Sequence, residues 1–142
     1  MTLLFLGSVD PGYVPELQAL VDEVAAAHAP YRVRADLGDG RVRHGEGVAW
    51  LGLGDGAGQL IAIATDVAGR CRRDITTGPP PKRTPSAHLT VVRKADEEVI
   101  EALRSNAHGP LAVEWTVDRV CLVRSHLDPG GARYETVHQS TM

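Results

Sequence analysis

The chain has 142 residues, of which 15 are basic and 18 acidic, giving a formal net charge of −3 and a pI near 6.0. Its length suits a single domain spanning residues 1–142. The composition, with 43% hydrophobic and 23% charged residues, excludes disordered, collagen-like and coiled-coil proteins. No apolar run approaches the roughly 20 residues of a membrane helix, no secretory signal opens the chain, and the two cysteines form no motif, so we expect a cytoplasmic protein with reduced thiols and no membrane contact.

The first half of the chain predicts short strands separated by two helices. An apolar opening strand is followed by a turn at Asp10-Pro11-Gly12 and by a helix that Pro30 ends. A second helix follows Asp55-Gly56, with apolar residues at helical spacing. The predicted strands are residues 3–6, 31–35 and 48–51, and a Gly-rich loop is expected at 36–47.

The second half predicts a mixed arrangement that ends in a hairpin. Four prolines forbid regular structure over residues 76–86, and a strand follows at 87–93. Asp96 is a suitable N-cap for a third helix, which we expect to bury Val99, Ile100 and Leu103. Strands are predicted at 111–116, 119–126 and 133–137, with a turn at 128–131 between the last two. The fold class is therefore α+β, with mixed or antiparallel sheets and flanking helices.

The sharpest chemical signal is His88-Leu89-Thr90 on a predicted strand. In an extended chain, residues i and i+2 project from one face, about 6.6 Å apart, so an imidazole and a hydroxyl would stand together. An imidazole is the usual general acid or base near neutral pH, and the hydroxyl can donate to a phosphoryl oxygen. The remaining histidines have no spacing typical of metal ligands, and we expect no cofactor.

Other residues near this motif have two interpretations each. Seven basic residues against one acid occupy positions 70–94, which favours an anionic ligand, although Arg70, Arg72 and Arg73 also suit a helix C-terminus. Strict alternation places Arg93 opposite His88 and Thr90, unless the strand ends or twists there. Trp50 and Trp115 are more typical of a core than of base-stacking platforms.

Taken in order, several segments resemble one family. They are Thr2-Leu3-Leu4-Phe5-Leu6-Gly7 with Asp10, then His88-Leu89-Thr90-Val91-Val92-Arg93, then the segment from Trp115 to Ser125 with Gly131 and Tyr134-Glu135. This series resembles the 2H phosphoesterase superfamily, in its bacterial RNA 2',3'-cyclic phosphodiesterase or 2'-5' RNA ligase branch. The resemblance implies a two-lobed fold with one His-x-Thr strand on each side of a cleft.

The resemblance also implies roles for individual residues. His88 would be the base, Thr2 and Thr90 would hold the phosphate, and Arg93 matches a basic residue that follows the second motif. The first motif is present only from Met1 at its middle position and Thr2, so its histidine, the implied acid, would fall immediately before Met1. We therefore expect a chain that starts downstream of the ancestral start, lacking the family's first strand and helix.

The resemblance implies an RNA 2',3'-cyclic phosphodiesterase, with RNA 3' ends or small cyclic-phosphate nucleotides as partners. Loss of one acid–base partner typically costs about 10²–10⁴-fold in rate, so the alternative is an inactive RNA-end or nucleotide-binding module. A sheet without its expected strand exposes unpaired backbone and apolar side chains. That edge predicts self-association or poor solubility.

Overall fold

The computed structural model of the protein describes residues 1–43, 48–71, 75, 87–105, 112–129 and 131–142. A single 3₁₀ turn, Pro11–Tyr13, precedes the first of three helices. The helices are α1 (Val14–Ala27), α2 (Ala57–Arg70) and α3 (Glu97–Arg104). The strands are β1 (Tyr31–Arg43), β2 (Val48–Leu53), β3 (His88–Val92), β4 (Ala112–Val117), β5 (Arg119–Asp128) and β6 (Gly131–Thr141).

The chain divides into two compact units. Unit one contains Met1, Tyr31–Ile61 and Pro85–Val117, and unit two contains Thr2–Pro30, Ala62–Thr84 and Asp118–Met142. Helices and antiparallel sheets are both present, so the predicted α+β class is confirmed. None of the helices in the described ranges is long and apolar enough to cross a membrane.

Unit one is built on a four-stranded antiparallel sheet in the order β3-β2-β1-β4. Its apolar face carries Val33 and Ala35 of β1 with Ala49, Leu51 and Leu53 of β2, and all five are buried. Since successive strand residues face opposite sides, the intervening residues define a second, more polar face. This face carries Arg34 on β1, Trp50 on β2, and His88 and Thr90 on β3.

The start of α2 lies very close to β1. Gly56 has φ +82°, and a Cβ built there would lie 2.5 Å from the carbonyl oxygen of Arg32 and 2.9 Å from Cγ2 of Val33. Glycine is the residue that adopts this left-handed conformation without a steric cost. The predicted Asp55-Gly56 start of a helix is thus confirmed, and its glycine permits a close backbone approach.

Unit two combines α1, the C-terminal part of α2 and the β5–β6 hairpin. The predicted apolar stripe of α1 is confirmed, because Leu17, Val21 and Val24 are buried together with Ala25. Contacts join α1 to both β5 and β6. Three histidines also connect these elements, each with a carboxylate oxygen within hydrogen-bonding distance of Nε2. The pairs are His28–Asp66 at 3.2 Å, His126–Glu135 at 2.9 Å and His138–Asp22 at 2.8 Å.

Some local predictions were wrong. Residues 3–6 form no strand within the described part of the chain, and Phe5 is 77% exposed. An apolar run becomes a strand only when a neighbour completes its hydrogen-bond ladder. The predicted loop also begins too early, since β1 continues to Arg43 and pairs there with Val48. On α3, Asp96 does cap the helix by accepting from the Val99 amide at 2.9 Å, but Val99 itself is 42% exposed.

Candidate functional site

His88 and Thr90 lie on the polar face of unit one, two residues apart on β3 as the sequence predicts. His88 is exposed and Thr90 is half-buried. On the neighbouring strand, Gly52 is directly opposite His88 and Trp50 is directly opposite Thr90. Opposed residues in an antiparallel pair share a face, so an imidazole, a hydroxyl and an indole project from the same surface.

The Trp50 indole contacts the imidazole of His88. Their ring centroids are 5.9 Å apart and the ring planes are inclined at 58°. This separation is within the about 4.5–7 Å range that aromatic pairs prefer, and inclined rings are favoured over a face-to-face stack. The sequence favours a core position for Trp50. In the structure, its side chain is half-buried.

A bulge interrupts β3 between Thr90 and Val92. Thr90 pairs with Trp50 and Val92 pairs with Ala49, so two steps along β3 match one step along β2. The extra residue, Val91, is 40% exposed. Such a bulge reverses the alternation of side chains beyond it. Val92 therefore aligns with Ala49, which is buried on the apolar face, rather than sharing the face of Thr90.

Arg93 follows this bulge directly, at the point where the strand ends. It is exposed and lies in a bend, next to Lys94, whose φ of +56° is in the left-handed region. Because β3 ends at Val92, the alternation of strand side chains does not extend to position 93. The sequence allows Arg93 to reach the side of His88 only where the strand ends or twists. The strand does end just before Arg93.

Thr2 is an exposed residue of unit two. The remaining cations of the basic segment, Arg72, Arg73, Lys82 and Arg83, fall outside the described residues. Arg70 belongs to unit two, where its guanidinium donates from Nε to Asp66 at 2.7 Å and has Nη1 3.5 Å from Glu23. Two acidic neighbours favour a structural role for Arg70, in line with the helix C-terminus interpretation.

Unit two also contains a depression of about 170 Å³, lined by Glu16, Arg70, Cys71 and Ile75 among others. Burial raises the pKa of the Cys71 thiol, and the negative charge of Glu16 raises it further. A raised pKa reduces the thiolate fraction that a nucleophilic cysteine requires. Neither Cys71 nor Cys121 forms a disulfide, and none of the predicted site residues lines this depression.

Among the described residues, no group of three or more His, Cys, Asp or Glu side chains is arranged to hold a metal ion. The polar face of unit one offers an imidazole at His88 and a hydroxyl at Thr90. Such groups perform proton transfer and bind anionic oxygens.

Comparison with known proteins gives the chain its family. A sequence profile of the 2'-5' RNA ligase superfamily matches residues 1–129. The chain belongs to this superfamily. The predicted resemblance to the 2H phosphoesterases is thereby confirmed. Within the superfamily, the RNA 2',3'-cyclic phosphodiesterase of Aquifex aeolicus (strain VF5) is 27% identical over 148 aligned positions, covering 98% of this chain and 75% of that protein.

Solved structures share the fold of this chain. TT0787 of Thermus thermophilus superimposes with a TM-score of 0.75 at 24% identity, covering 99% of this chain and 75% of that one. LigT of E. coli, solved in complex with 3'-AMP, gives a TM-score of 0.69 at 22% identity, covering 99% of this chain and 74% of LigT. These similarities establish the α+β architecture of the superfamily for this chain.

Proposed function

We propose that this chain hydrolyses terminal RNA 2',3'-cyclic phosphates, with His88 as the general base. Membership of the 2'-5' RNA ligase superfamily and the similarity to the Aquifex phosphodiesterase support this activity. The observation that carries the proposal is the joint projection of His88 and Thr90 from one polar sheet face, beside the indole of Trp50.

The chemistry follows from what a cyclic phosphate requires. The imidazole of His88 removes a proton from water, and the water oxygen forms a new bond to phosphorus. The bond from phosphorus to one ribose oxygen breaks, and a second group protonates that oxygen as it leaves. The product is a terminal phosphomonoester. Ligation to a 2'-5' linkage uses the same phosphorus centre, with a ribose hydroxyl in place of water.

Negative charge accumulates on the phosphoryl oxygens during this step, and donors aimed at them stabilise it. We assign this role to the hydroxyls of Thr90 and Thr2 and to the guanidinium of Arg93. The end of β3 at Val92 supports the assignment of Arg93, because a residue beyond the strand is not held to the opposite face by strand alternation. The substrate would be an RNA 3' end or a small cyclic-phosphate nucleotide.

The decisive experiment is hydrolysis of an oligoribonucleotide with a 2',3'-cyclic phosphate end, without added metal. We expect His88→Ala to lower the rate by about 10²–10⁴-fold, the usual contribution of a general base. His126→Ala is the matched control, since His126 is paired with Glu135 in unit two, and its rate should stay near that of the parent.

An inactive parent chain that still binds the labelled substrate would overturn the hydrolase and favour a nucleotide-binding module instead. Equal activity in the His88→Ala variant would also overturn the proposal, because another base would then be responsible. Loss of activity in His126→Ala as well as His88→Ala would point to damage to the fold, and circular dichroism separates that case.

Self-association is proposed as well. Residues 3–6 have no strand partner within the described part of the chain, and Phe5, one of these residues, is exposed. A second copy would cover these apolar side chains. Size-exclusion chromatography with light scattering tests this, and Phe5→Ser should shift any dimer towards monomer. A parent chain that elutes as a stable, compact monomer would contradict the proposal.

A further inference from the structure

The strand position directly opposite His88 is a glycine, Gly52, which presents no side chain on the shared face. Trp50 is diagonal to His88, two residues along β2. Diagonal neighbours on an antiparallel pair are about 7–8 Å apart, which is within reach of an aromatic side chain. The indole reaches across this diagonal to the imidazole, with the ring centroids 5.9 Å apart.

An exposed histidine on a strand has several staggered rotamers available. His88 is exposed, and only some of those rotamers keep its ring 5.9 Å from the Trp50 ring. The indole itself is half-buried and therefore more restricted than the imidazole it contacts. A restricted neighbour of this kind reduces the range of directions in which the imidazole nitrogens point.

We propose that Trp50 is a positioning residue that orients the imidazole of His88 for proton transfer. The inference rests on the proposed function, in which His88 is the base. A reacting group must be held in a near-attack geometry, and a misplacement of about 1 Å can cost about 10²-fold in rate. Trp50 acts through His88 rather than by contact with the phosphate.

The kinetic test compares Trp50→Leu with Trp50→Phe on the cyclic-phosphate oligoribonucleotide. We expect Trp50→Leu to lower kcat by about 10–100-fold while KM stays within about twofold, because substrate binding does not depend on the orientation of the base. The aromatic ring of Trp50→Phe should restore most of kcat.

Trp115 offers a matched control. It lies on β4, where it is directly opposite the buried Val33 and therefore projects from the other side of the sheet. Trp115→Leu should leave the kcat of the folded protein close to that of the parent. Circular dichroism of all three variants confirms that equal amounts of folded protein are compared.

A spectroscopic measurement tests the contact without relying on activity. The indole ring current should shift the NMR signals of the His88 ring protons, which are assigned by their loss in His88→Ala. In Trp50→Leu these signals should return towards the positions of a solvent-exposed histidine.

The outcomes separate the two proposals. A parent chain without activity overturns the proposed function and the positioning role with it. An active parent with unchanged kcat in Trp50→Leu overturns the positioning role alone. A raised KM with unchanged kcat also overturns it, and would identify Trp50 as a base-stacking platform for the substrate.

Discussion

The two units use histidine in different ways. In unit two, His28, His126 and His138 each have a carboxylate within 3.2 Å of Nε2, and each pair joins two elements of that unit. In unit one, His88 is exposed on the polar sheet face, and its ring lies 5.9 Å from the indole of Trp50. The carboxylate pairs connect elements of unit two, whereas the proposed function gives the imidazole of His88 a proton-transfer role. Sequence spacing alone does not show these surroundings.

After His88→Ala, the largest expected effect concerns the two threonines assigned to the phosphate. Thr90→Val removes a hydroxyl from the face of His88 at nearly constant volume, and we expect kcat to fall by about 10²-fold, as for the loss of one donor to a developing anion. Thr2→Val, at the other threonine assigned to the phosphate, should have a similar effect. Steady-state kinetics on the cyclic-phosphate oligoribonucleotide measure both, and an unchanged kcat in either variant would overturn the phosphate role of that threonine.

Each unit has a glycine with positive φ, and substituting each one compares how well the two units tolerate a side chain there. Gly56→Ala in unit one combines a left-handed conformation with a Cβ placed 2.5 Å from the Arg32 carbonyl oxygen. Gly7→Ala in unit two has φ +69° but no heavy atom within 4 Å of the new Cβ. We expect Gly7→Ala to cost about 1 kcal/mol of unfolding free energy, and Gly56→Ala to cost clearly more. Urea denaturation measures both, and equal costs would contradict the close approach at Gly56.

The carboxylates of unit two predict a local acid sensitivity. Hydrogen bonds from His138, Arg70 and His126 respectively hold the pKa values of Asp22, Asp66 and Glu135 below their usual range. A lowered pKa in the folded state means that the stabilisation is complete above the unfolded value of about 4 and is lost as pH falls through the folded value.

For His138→Ala we therefore expect the pKa of Asp22 to rise towards its usual value. The loss of stability relative to the parent should shrink as the pH falls from about 5 towards about 2, where Asp22 becomes protonated in both proteins. An NMR titration of the Asp22 carboxyl group checks the first expectation, and denaturation at several pH values checks the second. An unchanged Asp22 pKa would show that the pair is absent in solution.

The smallest effect is expected at the end of β3. Lys94 adopts φ +56°, a conformation that costs a non-glycine residue about 1–2 kcal/mol. Lys94→Gly relieves this cost but adds freedom to the unfolded chain, so we expect a net gain of about 0.5 kcal/mol. Thermal denaturation measures it. A loss of stability would mean that the lysine side chain makes a contact that compensates for the strained backbone.

The helices were the most predictable part of the fold, because their signals are local. Asp96 caps α3 through an amide three residues away, and the α1 stripe follows a period of about 3.6. The pair His88 and Thr90 was equally predictable, since their shared face depends only on the period of a strand.

Pairing between distant segments was not predictable. The bulge at Val91 exists only because β3 pairs with β2. The contact between Trp50 and His88 depends on the same pairing. For residues 3–6 the local pattern was misleading. Their apolar residues favour a strand, but a local pattern does not show whether another strand is available to pair with it.

The path of the chain through unit one has consequences for the speed of folding. β1 pairs with β2 across a short connection, but it also pairs with β4, and the Arg34–Glu114 contact on that side joins residues 80 positions apart. The entropy of loop closure grows with separation, and folding rates fall as contacts become less local. The β1–β2 ladder and the β5–β6 hairpin can therefore form early, whereas the β1–β4 ladder must wait for the intervening chain. Until then one edge of β1 is unpaired, and pulsed hydrogen exchange should detect late protection of the β4 amides.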